Sequence, residues 1–270
     1  GGAGDDTFIY SGVASEVSVG ETVNGGLGTN TIRFTGTANV TNATFTLINS
    51  VVIGEGFTAT FEGSQLNGVA WSVAGTAGGV NETLVVNATA GATFSLSNLT
   101  GLTNLNGLQI NGSTGTENIT GSTAADSITG LAGGDNLAGG GGNDTLVGGA
   151  GSDTQSGDAG SDRFVFAAGD ASSTILATLE VITDFVAADD AIALGVTGTG
   201  SNWTFTSEAS YAAALTDANT LITGGTRDIV VTEAGADTFV FADTNGDNVL
   251  DTVIQLTGTG LGLAFGDFIA

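Results

Sequence analysis

The sequence predicts an all-β chain: a right-handed parallel β-solenoid closed by a small C-terminal α/β cap. Three observations carry that expectation. Six contiguous nine-residue units run without a gap from Gly112 to Val165. Glycine fills 46 of 270 positions, more than double its ordinary share of ~7%. Proline is absent, which fits strands paired on both edges, because proline brings no N–H to a ladder.

The six units read GSTGTENIT, GSTAADSIT, GLAGGDNLA, GGGGNDTLV, GGAGSDTQS and GDAGSDRFV. Their sixth position is always acidic: Glu117, Asp126, Asp135, Asp144, Asp153 and Asp162. The eighth is apolar at Ile119, Ile128, Leu137, Leu146 and Phe164, with Gln155 the exception, and the fourth is glycine except at Ala124. A glycine-rich hexad turns tightly because glycine reaches φ > 0 without strain. The polar-apolar-polar triplet that follows makes a short strand whose middle side chain points inward. Two nonads then close one coil, and coils stack in parallel. Stacking places Glu117 over Asp135 over Asp153 on one side, and Asp126 over Asp144 over Asp162 on the other. Such columns repel unless a cation lies between the loops. Carboxylates and loop carbonyls offer only oxygen, and a site of six to eight oxygens suits Ca²⁺ rather than Mg²⁺. The expected inter-loop sites pair Glu117 with Asp135, Asp126 with Asp144, Asp135 with Asp153, and Asp144 with Asp162.

These units resemble the G-G-x-G-x-D-x-U-x repeat of RTX (repeats-in-toxin) proteins, whose fold is a calcium β-roll. The resemblance implies Ca²⁺ as cofactor, with ligands at Asp126, Asp135, Asp144, Asp153 and Asp162, and at Asp6 in a nonad that opens the chain. Glu117 departs from the family's aspartate. The resemblance also implies type I secretion from a Gram-negative bacterium to the extracellular space or the cell surface. Folding would then wait until the chain meets calcium.

Residues 1–33 hold that opening nonad and a second, Gly25 to Arg33, in which Asn30 stands where the acid belongs. A repeat needs a stacked neighbour, so ordered repeats are expected upstream of Gly1, and the lack of Met predicts a processed or partial chain. Over 34–111 the nonads stop while a looser strand-turn rhythm continues, as in Thr44 to Ile48, Val51 to Ile53, Thr83 to Val86 and Thr93 to Leu96. β-branched residues fill these runs, and Gly, Asn and Ser punctuate them. They predict a wider, largely calcium-free solenoid continuous with the roll at 112–165, with a β-sandwich as the competing reading.

Residues 166–270 change character. Leu179 to Phe185 followed by Asp189 to Leu194 resembles the I-x-D-F…D-x-I-x-L strand pair that ends many RTX rolls. Ser207 to Ile222 is apolar at helical spacing (Tyr211, Leu215, Ala218, Ile222) and predicts a helix, followed by strands Asp228 to Thr232, Thr238 to Phe241 and Thr252 to Leu256. Such a segment is placed to cap the open end of a solenoid. Asp243, Asn245, Asp247 and Asp251 resemble the first half of an EF-hand-like or dockerin-like loop and predict a further calcium. The competing reading is a polar hairpin tip, for which Asn-Gly is a favoured turn pair. Phe265 to Ala270 resembles the secretion signal at the end of RTX proteins.

Charge and composition remove several functions. Only Arg33, Arg163 and Arg227 are cationic against 28 acids, for a net charge of −25, so nucleic acid is excluded as a partner. Without Cys, His or Lys this chain cannot build a zinc site, a thiol nucleophile, a Ser-His-Asp triad or a lysine Schiff base. No apolar run is long enough for a membrane span. Paired carboxylates do run glycoside hydrolysis, and parallel β-helices host polysaccharide lyases. The arginines that a lyase would use are, however, far apart in sequence, and the acids are better explained as calcium ligands, so no enzyme is expected. The favoured function is a secreted calcium-binding structural protein that self-associates at the cell surface as an S-layer, filament or adhesin part, with a cell-surface polysaccharide as a further partner. The alternative is a C-terminal calcium-dependent folding and secretion module of an extracellular hydrolase or another RTX enzyme.

Overall fold

The structure, a computed structural model, describes residues 1–12, 20–76, 82–105, 107–167, 174, 176–195, 202–225 and 227–269. It is a parallel β-solenoid of about nine turns. One sheet runs along it from Ala38 onward. Its strands, from Ala38–Asn39 through Thr58–Glu62, Thr83–Asn87, Gly107–Ser113, Asp126–Gly133, Thr145–Gly151, Arg163–Val165 and Ala191–Ala193 to Phe268–Ile269, are all parallel. Parallel ladders of this kind rule out the sandwich.

In the first half the cross-section is wide. A second parallel sheet joins Thr7–Tyr10, Thr31–Phe34, Ser50–Ile53, Ser72–Gly75 and Thr100–Thr103, and Thr22–Asn24 pairs with Thr44–Thr46 on a third side. Side-chain partners in successive turns are 17 to 29 residues apart in sequence here. The large interior is filled with rings. Phe61 meets Phe34, Phe45 and Trp71 at centroid distances of 5.9, 5.7 and 6.1 Å, spacings at which tilted and edge-on contacts are favourable.

Beyond Thr103 the turn tightens. Through the nonads partners lie 18 residues apart, the length of two nonads, widening to 27 and 28 in the last turn. Two sheets face each other with a core one side chain deep. One wall is the register column Val86, Ile110, Ile128, Leu146, Phe164, Ile192, Phe268, all buried. The other is Phe94, Ile119, Leu137, Gln155, Ile182, Leu256. The second wall belongs to the strands Thr93–Ser95, Asn118–Thr120, Asn136–Gly141, Thr154–Ala159 and Glu180–Ile182. Glu180–Ile182 and Ala191–Ala193 extend both walls after the last nonad, so the segment from Leu179 to Leu194 adds one more turn to the roll.

The same sheet then leaves the solenoid. Thr252–Thr257 pairs parallel with Glu180–Ile182, and Asp237–Ala242 and Ile229–Ala234 follow antiparallel, ending at Trp203–Glu208. The helix Tyr211–Thr223 covers this extension with Ala214, Ala218 and Ile222 against Val230, Phe239 and Phe241, a core separate from that of the solenoid. It begins later than the periodicity predicts, because Ser207 and Glu208 are strand residues and Ser210 is the N-cap, its Oγ accepting from Ala213 N–H. The final segment is also folded: Phe268 is fully buried and in register with Ile192. Ala270 lies outside the described residues.

Gln155 is the one polar member of the inner walls. It is fully buried, and neither Oε1 nor Nε2 has a partner among the described residues. A buried polar group left unbonded costs about 1–3 kcal/mol. Gln155→Leu is therefore expected to stabilise the calcium-loaded fold by that order, raising the urea midpoint at unchanged slope. A lowered midpoint would contradict this account of the core.

Candidate metal centre

The glycine-rich loops stack with their strands and carry the acids into two ladders. On one edge Asp126 N–H donates to Asp144 Oδ1 (2.7 Å), Asp144 N–H to Asp162 Oδ1 (2.8 Å), and Asp162 N–H to Asp190 Oδ1 (2.9 Å). On the other, Glu117 N–H donates to Asp135 Oδ1 (2.8 Å), Asp135 N–H to Asp153 Oδ1 (2.7 Å), and Asp153 N–H to Glu180 Oε2 (3.2 Å). All eight carboxylates belong to buried residues. One ladder begins beside an apolar neighbour, Leu108, the register partner of Asp126, and the other ends beside one, Ile254, the register partner of Glu180.

Glu180 and Asp190 were not among the expected ligands. Each nevertheless opens an acid-x-apolar triplet, Glu180-Val181-Ile182 and Asp190-Ala191-Ile192, which matches positions six to eight of a nonad. That triplet was the available signal; the missing glycines hid it.

Glycine at the first and fourth positions has a steric reason. A Cβ at Gly139 would fall on the Asp144 carboxylate, and Gly142, at φ +107°, lies against the Ala124–Ala125 backbone one turn away. The fourth position separates two kinds of loop. In the first two nonads, Gly115 and Ala124 do not adopt positive φ, and a serine at position two closes the loop on its own acid. Ser113 N–H and Oγ bond to Glu117 (3.0 and 2.7 Å), and Ser122 N–H and Oγ bond to Asp126 in the same way. In the next four nonads, Gly133, Gly142, Gly151 and Gly160 have positive φ. Within these loops Asp135 Oδ2 and Asp144 Oδ2 are buried with no partner among the described residues.

Asp6 keeps the ladder geometry but lacks an acidic partner. Its N–H donates to Asn30 Oδ1 (3.1 Å), and Asn30 N–H donates to Asn49 Oδ1 (2.7 Å). The loop at Asp243 is built differently. Asp243 accepts from the N–H groups of Asn245, Gly246 and Asn248, and Asp251 from those of Thr244 and Asn245. Asp247 accepts from Val249 N–H, and Asn245 Oδ1 from Asp247 N–H. These bonds draw Asp243, Asn245 and Asp251 together and turn their oxygens onto the loop's own backbone, as in a tight polar turn.

Burial sets the electrostatics of the ladders. It pushes the Asp126 carboxyl up to about 7, and at Asp144 burial first and then the charges of Asp126, Asp162 and Asp158 together bring the carboxyl up to about 7. Asp135, Asp162 and Asp190 also rise, by burial first and then by neighbouring acids. Ionised carboxylates held this way need a counter-charge, and the orphaned oxygens of Asp135 and Asp144 need a ligand. An oxygen-seeking divalent cation answers both needs, so these residues fit calcium. No three acids converge on one point among the described residues. Stacking brings acids together in pairs, and loop carbonyls would supply the other oxygens.

Fold and site together define a calcium β-roll. The profile of the RTX calcium-binding nonapeptide repeat matches residues 111–146, 138–170 and 212–239. The chain thus carries RTX nonapeptide repeats, and these repeats bind Ca²⁺. The third match falls on the helix Tyr211–Thr223 and the hairpin around Gly235 rather than on stacked loops. No curated protein matches the chain.

A pH dependence follows for the metal-free chain. Asp126 and Asp144 hold protons up to about pH 7 when folded but release them near the ordinary value of about 3.9 when unfolded. Between these values the folded form binds more protons, so stability falls as pH rises through the window and is fully present below it. Circular dichroism in metal-stripped buffer is expected to show β structure increasing from pH 7.5 to pH 5. Loss of structure on acidification would contradict this.

Proposed function

We propose that this chain is a secreted calcium-binding structural protein whose roll folds on meeting Ca²⁺ and which self-associates at the cell surface. The observation that carries the calcium-dependent part is the pair of buried acid ladders with unpartnered oxygens at Asp135 and Asp144. Asp135, Asp144, Asp153 and Asp162 would hold the cations. Glu117 and Asp126 begin the ladders, and Glu180 and Asp190 end them. Calcium would supply positive charge, and the carboxylates and loop carbonyls of the chain would supply its oxygen ligands. The residues of the chain fix the spacing between loops and exclude water by stacking.

Self-association is supported by the economy of the chain. Most of it is solenoid, and it contains no His, Cys or Lys for catalysis. Its outer surface adds exposed Leu27 and Leu47, the latter in the loop that takes the Asn30 amide hydrogen bond. A molecule of net charge −25 repels its copies until cations neutralise it. Ligand bound only by the folded state stabilises that state, so calcium would switch on folding and assembly together.

Two outcomes are expected. In metal-free buffer near pH 7.5 the β signal of the roll is low, and millimolar Ca²⁺ restores it. Asp144→Ala, which removes an acid with neighbours above and below, raises the calcium needed several-fold. Asp217→Ala on the helix shifts stability by no more than about 0.5 kcal/mol. Equal behaviour of the two variants in a calcium titration would contradict stacked sites. In negative-stain microscopy, ordered sheets or filaments should appear with calcium and dissolve in chelator. A chain that folds with calcium yet stays monomeric at high concentration would instead favour a secretion module.

A further inference from the structure

The acid ladders of the roll have a neutral counterpart in the first half of the solenoid. Asn30 is fully buried and keeps the ladder geometry, its Oδ1 accepting from Asp6 N–H one turn away (3.1 Å). Its Nδ2 donates to the Leu47 carbonyl of the next turn at 2.9 Å and lies 3.4 and 3.5 Å from the carbonyls of Gly26 and Gly28 in its own loop. Three backbone oxygens thus converge on one amide nitrogen. A Cβ at Gly25 would collide with the Asn30 amide, just as one at Gly139 would collide with the Asp144 carboxylate. The two side chains occupy equivalent places in their turns.

Gln65 repeats the device farther along. Its Nε2 donates to the carbonyls of Val40 (2.8 Å) and Ala43 (2.7 Å) in the preceding turn, while its Oε1 accepts from Glu62 N–H (2.6 Å). Both amide hydrogens bridge turns through loop carbonyls, the kind of oxygen a cation would otherwise gather.

We propose that side-chain amides replace calcium in the first half of this solenoid, and that Asn30 is the specificity-determining residue that keeps a cation out of the Asp6 loop pair. This rests on the calcium reading of the roll. An amide N–H2 brings donors without net charge, so the loops at Gly25 and Leu47 close with no ion and their folding is independent of calcium. A carboxylate at the same place would aim a second oxygen at the Leu47, Gly26 and Gly28 carbonyls, an arrangement that needs a cation or a proton to reconcile it. The chain is then a permanently folded block joined to a block that calcium orders.

Hydrogen exchange on the full wild-type chain tests the first half of this statement. In metal-free buffer at pH 7.5, Thr31–Phe34 and Ser50–Ile53 should stay protected while Asp126–Gly133 and Thr145–Gly151 exchange. Added Ca²⁺ should slow the second pair at least tenfold. Rapid exchange of Thr31–Phe34 without calcium overturns the inference, whereas a roll equally protected with and without calcium overturns the functional reading instead. Asn30→Asp tests the second half, with Asn39→Asp, an exposed site of identical charge change, as control. Equilibrium dialysis should count one more Ca²⁺ in N30D than in wild type or N39D. Without calcium, N30D should lose protection at Thr31–Phe34, and with calcium it should regain it. An unchanged calcium count, or a loss of protection that calcium does not restore, overturns the role assigned to Asn30.

Discussion

The roll depends on holding like charges one strand spacing apart. Parallel strands sit about 4.8 Å from one another, and the nonads place an acid at the same point of each turn. At that distance two carboxylates repel by about 3 to 4 kcal/mol at an effective dielectric near 20. The ladder bonds from each acid's N–H to the next carboxylate fix the spacing, so the roll cannot relax the repulsion by moving apart. It must take up protons or a cation. The raised carboxyls of Asp126 and Asp144 and the unpartnered oxygens of Asp135 and Asp144 are two expressions of this one constraint.

The width of the solenoid answers the same problem from the other side. A coil of 18 residues leaves room for one inward side chain per strand, and its remaining residues form loops whose oxygens face each other. The longer coils of the first half enclose the cluster around Phe61 and Trp71 and draw stability from buried apolar area. There Asn30 and Gln65 place amides between successive turns. Apolar Leu108 marks where one charged column starts, and Ile254 where the other stops.

Much of this was legible in the nonads. A strict nine-residue period fixes which residues stack, and both acid ladders follow from counting. Other features lay outside the period. Glu180 and Asp190 are hidden in the sequence because Leu179 to Leu194 keeps the acid-x-apolar triplet without the glycines. The difference between closed and open loops depends on Ser113 and Ser122, whose hydroxyls look like ordinary loop polarity in a sequence. The helix starts at Tyr211 because strand pairing with Ile229–Ala234 claims Ser207 and Glu208, a tertiary contact that periodicity does not contain. The nonad-like stretch near Asp237 shows the reverse case, since it forms an antiparallel hairpin despite its resemblance to a repeat.

The account stands on cations lying between the stacked acid loops, and a crystal grown with Tb³⁺ in place of Ca²⁺ shows this most directly. Anomalous difference maps should place peaks along both ladders, between the loops of Asp126 and Asp144, Asp144 and Asp162, and Asp135 and Asp153. No peak is expected between the loops at Asn30 and Leu47. A folded roll whose acid ladders carry no anomalous peaks would contradict the account.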